Sequence, residues 1–312
     1  MSLGALSGAL EQGLVYAVLA LGVYLTFRVL NFPDLTVDGS FPLGAAVAAR
    51  LITCGASPVT ATVIAPALGF AAGVVTGVLN TKLRISGLLA GILTMTALYS
   101  VNLRIMGRAN IPLLRSATVL TGLQSLGIPS TVSAIVLFSA IVVLLKIVLD
   151  VFLRTEFGLA LRATGDNEVM IRSLGVNTDS MKIVGVGLSN ALTALAGALV
   201  AQYQGFADIG MGIGMVVAGL ASVIIGGALV APNTIGVATL GVVAGSIIYR
   251  FAVFFALRMG FAPTDLKIVT AVLVVTALSG PAIRSGLGLE RRKASRNGRA
   301  KSPAQNILTG HK

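Results

Sequence analysis

The sequence is poor in most residues that soluble proteins rely on. Only 11% of its 312 residues are charged, against about 25% in soluble domains, which excludes an ordinary soluble globule. Cys54 is the one cysteine, so no disulfide can form within the chain and folding does not rely on oxidation. Tryptophan is absent and tyrosine scarce, which leaves a thin aromatic belt. The one histidine, His311, lies in a polar tail, and nothing in the sequence resembles a metal cluster or a catalytic triad. No Gly-Lys dipeptide occurs, so there is no Walker A motif and no ATP hydrolysis by P-loop chemistry. The N-terminus lacks the basic start of a signal peptide. Its first apolar run ends at Arg28 and reads as a retained helix.

What fills the chain is apolar sequence, 55% of all residues. The runs are continuous, as in ALTALAGALVAQY, and each is about long enough to cross a bilayer as a helix of ~20 residues. A β-barrel would show short alternating strands instead. The expected fold is therefore all-α, a polytopic transmembrane helical bundle of about nine spans. The apolar segments are 9–30, 41–53, 57–79, 87–106, 131–153, 180–203, 214–230, 235–257 and 266–283. Residues 1–285 form the membrane domain, and 286–312 a basic tail that reads as a disordered cytoplasmic end.

The formal charge of +12 would suggest nucleic acid in a soluble protein. Here the positive-inside rule explains it, and no nucleic-acid partner is expected. Lys and Arg collect at Lys82, Arg84, Arg154, Arg162, Arg172, Lys182 and in the tail from Arg291 to Lys301. With 154–180 in the cytoplasm, these groups fall inside and the N-terminus outside. Arg104, Arg108, Arg115 and Arg258 fall outside as exceptions.

Two other patterns concern packing and path. Gly69, Gly73 and Gly77 form overlapping GxxxG repeats, and Gly87/Gly91 and Gly241/Gly245 repeat the spacing. Such residues let helix backbones approach closely in lipid. Polar residues within spans are functional candidates by default. Asn31, Asp34, Thr36, Asp38 and Ser40 cluster before the short second run, with Thr94, Thr96, Ser100 and Asn102 on the fourth. Asn31, Asp34, Thr36, Asp38, Ser40, Thr96 and Asn102 are candidates for a substrate path. Two readings of 31–40 stay open: a solvated loop, or a broken second span, since irregular backbone at membrane depth lines a cavity or is buried. Glu11 reads as solvated at the outer face.

The most informative stretch is Phe157-GLALRATGDNEVMIRSLGVN-Thr178. With Asp166 as N-cap, Asn167–Leu174 makes about two turns, stopped by a left-handed Gly175. Val169, Met170, Ile171 and Leu174 give this helix an apolar side. From composition it is either an interfacial helix lying on lipid or a docking helix for a partner's groove.

The stretch resembles the cytoplasmic coupling segment of bacterial ABC-importer permeases of the branched-chain amino acid and ribose type. The resemblance rests on Gly158, Ala160, Arg162, Ala163, Gly165, Asn167, Gly175, Val176 and Asn177, while Met170 stands where the family carries a small residue. It extends to GLVYAVLALGVYLTFRVLNFPDLTVDGSFPLGA and to LSNALTALAGALVAQYQGFADIGMGIGMVVAGLASVIIGGAL, covering most of residues 9–283. LNFPDLTVDGSFPLGAA and LTMTALYSVNLRIMGRANIPL most resemble a subgroup linked to aromatic amino acids and found beside periplasmic substrate-binding lipoproteins.

This resemblance implies a multi-pass permease of the bacterial inner membrane, taking a small solute, foremost an amino acid. It implies three kinds of protein partner: an ABC ATPase subunit, a substrate-binding protein and a second permease copy, as a homodimer. ATP and Mg would sit on the ATPase, and no cofactor or metal on this chain, which would be no enzyme itself. Gly158, Arg162, Ala163, Gly165, Asp166, Asn167, Met170 and Gly175 would couple the ATPase to the spans. Membrane lipid would surround the bundle. The alternatives are an ABC importer for a nucleoside or sugar, and an ion-coupled secondary transporter, a class that commonly uses intramembrane acids.

Overall fold

The computed structural model describes residues 3–114, 116–124, 130–230, 234–260, 268, 270–272 and 275. The chain opens with α1 (Leu3–Val23), which runs into a wider π turn at Tyr24–Val29. Residues 30–36 are irregular, with Asn31 in the left-handed region (φ 51°). Then come α2 (Val37–Thr53), α3 (Pro58–Thr81), α4 (Gly87–Met106), β1 (Asn110–Pro112), α5 (Val119–Gln124) and α6 (Ser130–Phe152). Two short helices follow, α7 (Glu156–Asp166) and α8 (Glu168–Ser173). The last described elements are α9 (Thr178–Gln204), β2 (Phe206–Asp208), α10 (Met215–Leu229) and α11 (Ile235–Arg258).

The all-α polytopic architecture holds, with one addition. The turns after α4 and α9 pair as a small antiparallel ribbon, Asn110 opposite Asp208 and Pro112 opposite Phe206. Six of the described helices are long and apolar enough to cross a membrane. α2 has 17 residues and α10 has 15, each short of the ~20 needed for a straight crossing. α2 takes in residues 37–40 ahead of the second apolar run, and a glycine-rich turn precedes Met215. Segment 266–283 falls mostly outside the described residues, as do Arg115, Asp265 and the tail 286–312.

α1 and α9 lie at the centre, with 83% and 67% of their apolar windows buried, while α4 and α6 lie at the rim with 28% each. The rim helices turn Leu88, Leu93, Leu144 and Val148 outward, as a lipid-facing surface requires. Inside, α9 packs along α2 and α3, and α1 packs along α11, α9 and α6. The α3–α9 seam is where the glycine repeat is used. A Cβ at Gly73 would meet the Val186 carbonyl at 2.5 Å, and one at Gly77 the Ile183 Cα at 2.7 Å. The two backbones therefore touch, and van der Waals packing holds helices that gain nothing from leaving lipid for one another.

The bundle has two distinct ends. Lys82, after α3, pairs with Asp179 at 3.4 Å, so the α3–α4 turn sits beside the start of α9, at the end that carries α7 and α8. The β1–β2 ribbon marks the other end. There Glu11 is buried, with its carboxylate accepting the Tyr203 hydroxyl at 3.0 Å. The expectation of a solvated Glu11 fails because α9 brings Tyr203 over it.

Candidate functional site

Two sites emerge. The first is built around residues 30–40. Asp34 is fully buried, and its carboxylate is held from two sides. Oδ1 accepts the Thr36 N–H at 2.8 Å, a local turn that the short side chain of Asp favours. Oδ2 accepts the Asn190 amide of α9 at 2.7 Å. Asn190 lies 12 residues beyond Thr178, the first residue of α9, or about 18 Å along its axis. The Thr36 hydroxyl meets that of Thr76 on α3 at 2.7 Å. One carboxylate and one hydroxyl thus tie the irregular stretch to α9 and α3.

Asp38 performs a different task. Its carboxylate accepts the Gly214 N–H at 3.0 Å and the Val216 N–H at 2.8 Å. It caps α10 from another helix, and a carboxylate is favourable at a helix N-terminus. Asn102 on α4 is buried and donates its amide to the Gly39 carbonyl at 3.2 Å. Ser40 is buried, and its hydroxyl, like the side-chain oxygens of Asn102 and Asn190, has no hydrogen-bond partner among the described residues. Asn31 is exposed at its left-handed turn. Thr96 stands apart on an exposed face, with its hydroxyl donating to the Ile92 carbonyl at 2.8 Å. The structure brings Asp34, Thr36, Asp38, Ser40 and Asn102 to one buried region and leaves Thr96 outside it.

The second site is the segment between α6 and α9. Two helices form where one was expected, because the chain turns at Asn167, which has extended backbone (φ −156°, ψ 93°). Asn167, not Asp166, is the N-cap of α8: its Oδ1 accepts the Met170 N–H at 3.0 Å. Asp166 is instead the last residue of α7, and the Asn167 N–H donates to the Ala163 carbonyl at 2.9 Å. Gly175 has the left-handed conformation expected of it (φ 87°).

α7 is seated closely on the ends of two spans. A Cβ at Gly158 would strike the Phe152 carbonyl at the end of α6, and one at Gly165 would strike the Val29 carbonyl. Arg162 and Ala163 are half-buried between these contacts. α8 is tied to α9 by Glu168, which pairs with Lys182 at 2.6 Å and accepts the Thr178 hydroxyl at 3.3 Å. Beyond those ties α8 projects. It buries none of its own residues, and Val169, Met170 and Leu174 are 77%, 59% and 68% exposed.

Sequence reading passed over Asn190, Thr76 and Arg250. The Arg250 guanidinium stacks 3.4 Å from the Tyr16 ring centroid, a cation–π contact inside an apolar helix. Each of the three is a polar residue within an apolar run, which was the available signal. Asp150 accepts the Thr239 hydroxyl at 2.6 Å and so joins α6 to α11.

Comparison with known proteins agrees with this architecture. Residues 5–278 match the family described as branched-chain amino acid transport system / permease component. The chain is 46% identical over 270 residues to the tyrosine transport system permease protein of Clostridioides difficile, covering 86% of this chain and 89% of that one. It is 36% identical over 275 residues to an uncharacterized protein of Rickettsia prowazekii, covering 87% and 95%. It is 28% identical over 271 residues to the ribose import permease protein of Escherichia coli, covering 86% and 83%. No solved structure gives a significant match. A bundle of apolar helices with a projecting two-helix segment, matched over nearly its whole length, belongs to the branched-chain amino acid transport system permease family of ABC importers.

Proposed function

We propose that this chain is the membrane subunit of an ABC importer for amino acids, in which α7 and α8 receive force from an ATPase. The observation that carries the proposal is the contrast within that segment. The tip of α8 is apolar and uncovered, while the root of α7 is packed backbone to backbone on Leu153 and Val29. An uncovered apolar knob on a short helix suits a partner's groove. A root without side-chain cushioning passes displacement to α1 and α6, since packed interfaces switch between arrangements rather than deform. Coupling would thus involve Gly158, Arg162, Ala163, Gly165, Asp166, Asn167, Met170 and Gly175.

The end carrying α7 and α8 faces the cytoplasm in this reading, supported by Lys82, Arg84, Arg154, Arg172 and Lys182 in its connections. The N-terminus then lies outside and the C-terminus inside the bacterial inner membrane. Two copies would pair, each with an ATPase, and a binding protein would deliver solute at the ribbon end. The tyrosine transport relative favours an amino acid over a sugar. Asp34, Thr36, Asp38, Ser40 and Asn102 would border the path, with residues 31–40 as a break at membrane depth.

A second reading, an ion-coupled transporter, draws on the fully buried Asp34 carboxylate. Proteoliposomes separate the two. Uptake that requires the ATPase, ATP and the binding protein is expected. Uptake by the purified chain alone, driven by a proton gradient, would overturn the ABC reading.

A further inference from the structure

A cavity of about 500 Å³ opens where the π turn, α7, the end of α10 and the start of α11 meet. That volume suits a small organic molecule. Its polar lining comes from Thr234 and from two pairs four residues apart, Tyr24 with Arg28 and Arg162 with Asp166. Among the described residues neither guanidinium forms an ion pair. Asp166 is likewise outside the ion pairs that order the neighbouring α8–α9 junction. The inner wall is different in kind. Val223, Ile235 and Val242 carry the cavity away from the charges along α10 and α11.

We propose that this cavity is a binding site, reached from the α7–α8 end, for a zwitterionic α-amino acid with an apolar side chain. Arg28 and Arg162 take the carboxylate, Asp166 takes the ammonium, and the Val223–Ile235 wall takes the side chain. Guanidinium pairs recognise carboxylates with charge-assisted hydrogen bonds, and one acid beside two bases selects a zwitterion over a simple acid. Such a site lies on the product side of the importer. It rests on the amino-acid reading for its ligand class and adds a second place where that ligand is held.

The test uses the purified chain in nanodiscs, without ATPase or binding protein, and equilibrium binding of labelled L-phenylalanine up to about 10 mM, a range that covers weak sites. Saturable binding is expected. Phenethylamine, which lacks the carboxylate, and 3-phenylpropionate, which lacks the ammonium, should compete at least about tenfold more weakly. Arg28→Gln should weaken binding by about tenfold, and Arg28→Lys should restore part of it. Asp166→Asn should remove the preference for L-phenylalanine over 3-phenylpropionate, a change that a merely structural role would not produce. Ala238→Phe, which fills the cavity without touching a charge, should abolish binding while the protein stays monodisperse. Absence of saturable binding, equal competition by ribose, or binding indifferent to Arg28→Gln and Ala238→Phe would overturn the site. None of these results bears on ATP-driven coupling, which is read separately in proteoliposomes.

Discussion

The two interruptions of the bundle, residues 30–36 and 153–177, are held in opposite ways. The first is tied by buried polar side chains. Asp34, Thr36, Thr76 and Asn190 are linked by hydrogen bonds, and all four are buried. The second is held at its root by contacts between backbones and leaves its tip bare. Hydrogen bonds in lipid fix a conformation, because the alternative is an unpaired polar group. Close glycine contacts fix the distance between backbones. In the proposed coupling, the first stretch keeps its shape while the second is pushed.

Five substitutions would break or sharpen that contrast. Gly165→Val has the largest expected effect. A branched side chain cannot fit against the Val29 carbonyl, and such overpacking costs about 1–3 kcal/mol locally. Uptake should fall to background while membrane insertion, checked by fractionation, persists. Asp34→Ala removes the acceptor of the Thr36 N–H and leaves the Asn190 amide only the Val186 carbonyl. A loss of about 1–3 kcal/mol should appear as a lower Tm of the purified subunit, and Asn190→Ala should lower it by a similar amount. Asp38→Ala removes the cap of α10, worth about 1 kcal/mol, and should lower Tm less than Asp34→Ala does. Met170→Glu, on the bare tip of α8, should change stability by under about 0.5 kcal/mol yet weaken ATPase co-purification severalfold. A Tm drop for Met170→Glu as large as that for Asp34→Ala would mean that α8 is a packed element and not a docking tip.

The sequence revealed these regions unequally. Apolar run length made the six long helices plain, and Gly69, Gly73 and Gly77 announced the α3–α9 seam before its partner was known. The Asn167–Gly175 helix was legible from its cap and its stop, although Asp166 was mistaken for the cap because both residue types serve and only backbone geometry chooses. Partners across the bundle were not legible. Nothing local to Asp38 tells that it caps a helix starting near residue 214, and nothing local to Asp34 names Asn190. Such pairings are set by tertiary packing. Glu11 shows the same limit, since its burial depends on Tyr203 arriving from α9. Of the nine apolar runs, six form helices long enough to cross among the described residues, the second and seventh form the shorter α2 and α10, and the ninth lies mostly outside the described residues.

The most direct measurement records ATP hydrolysis and solute uptake in the same proteoliposomes, containing the Gly165→Val subunit assembled with its ATPase and binding protein. If α7 is the lever, hydrolysis continues and uptake per ATP collapses. If uptake per ATP matches that of the unaltered protein, force does not reach the spans through the α7 root.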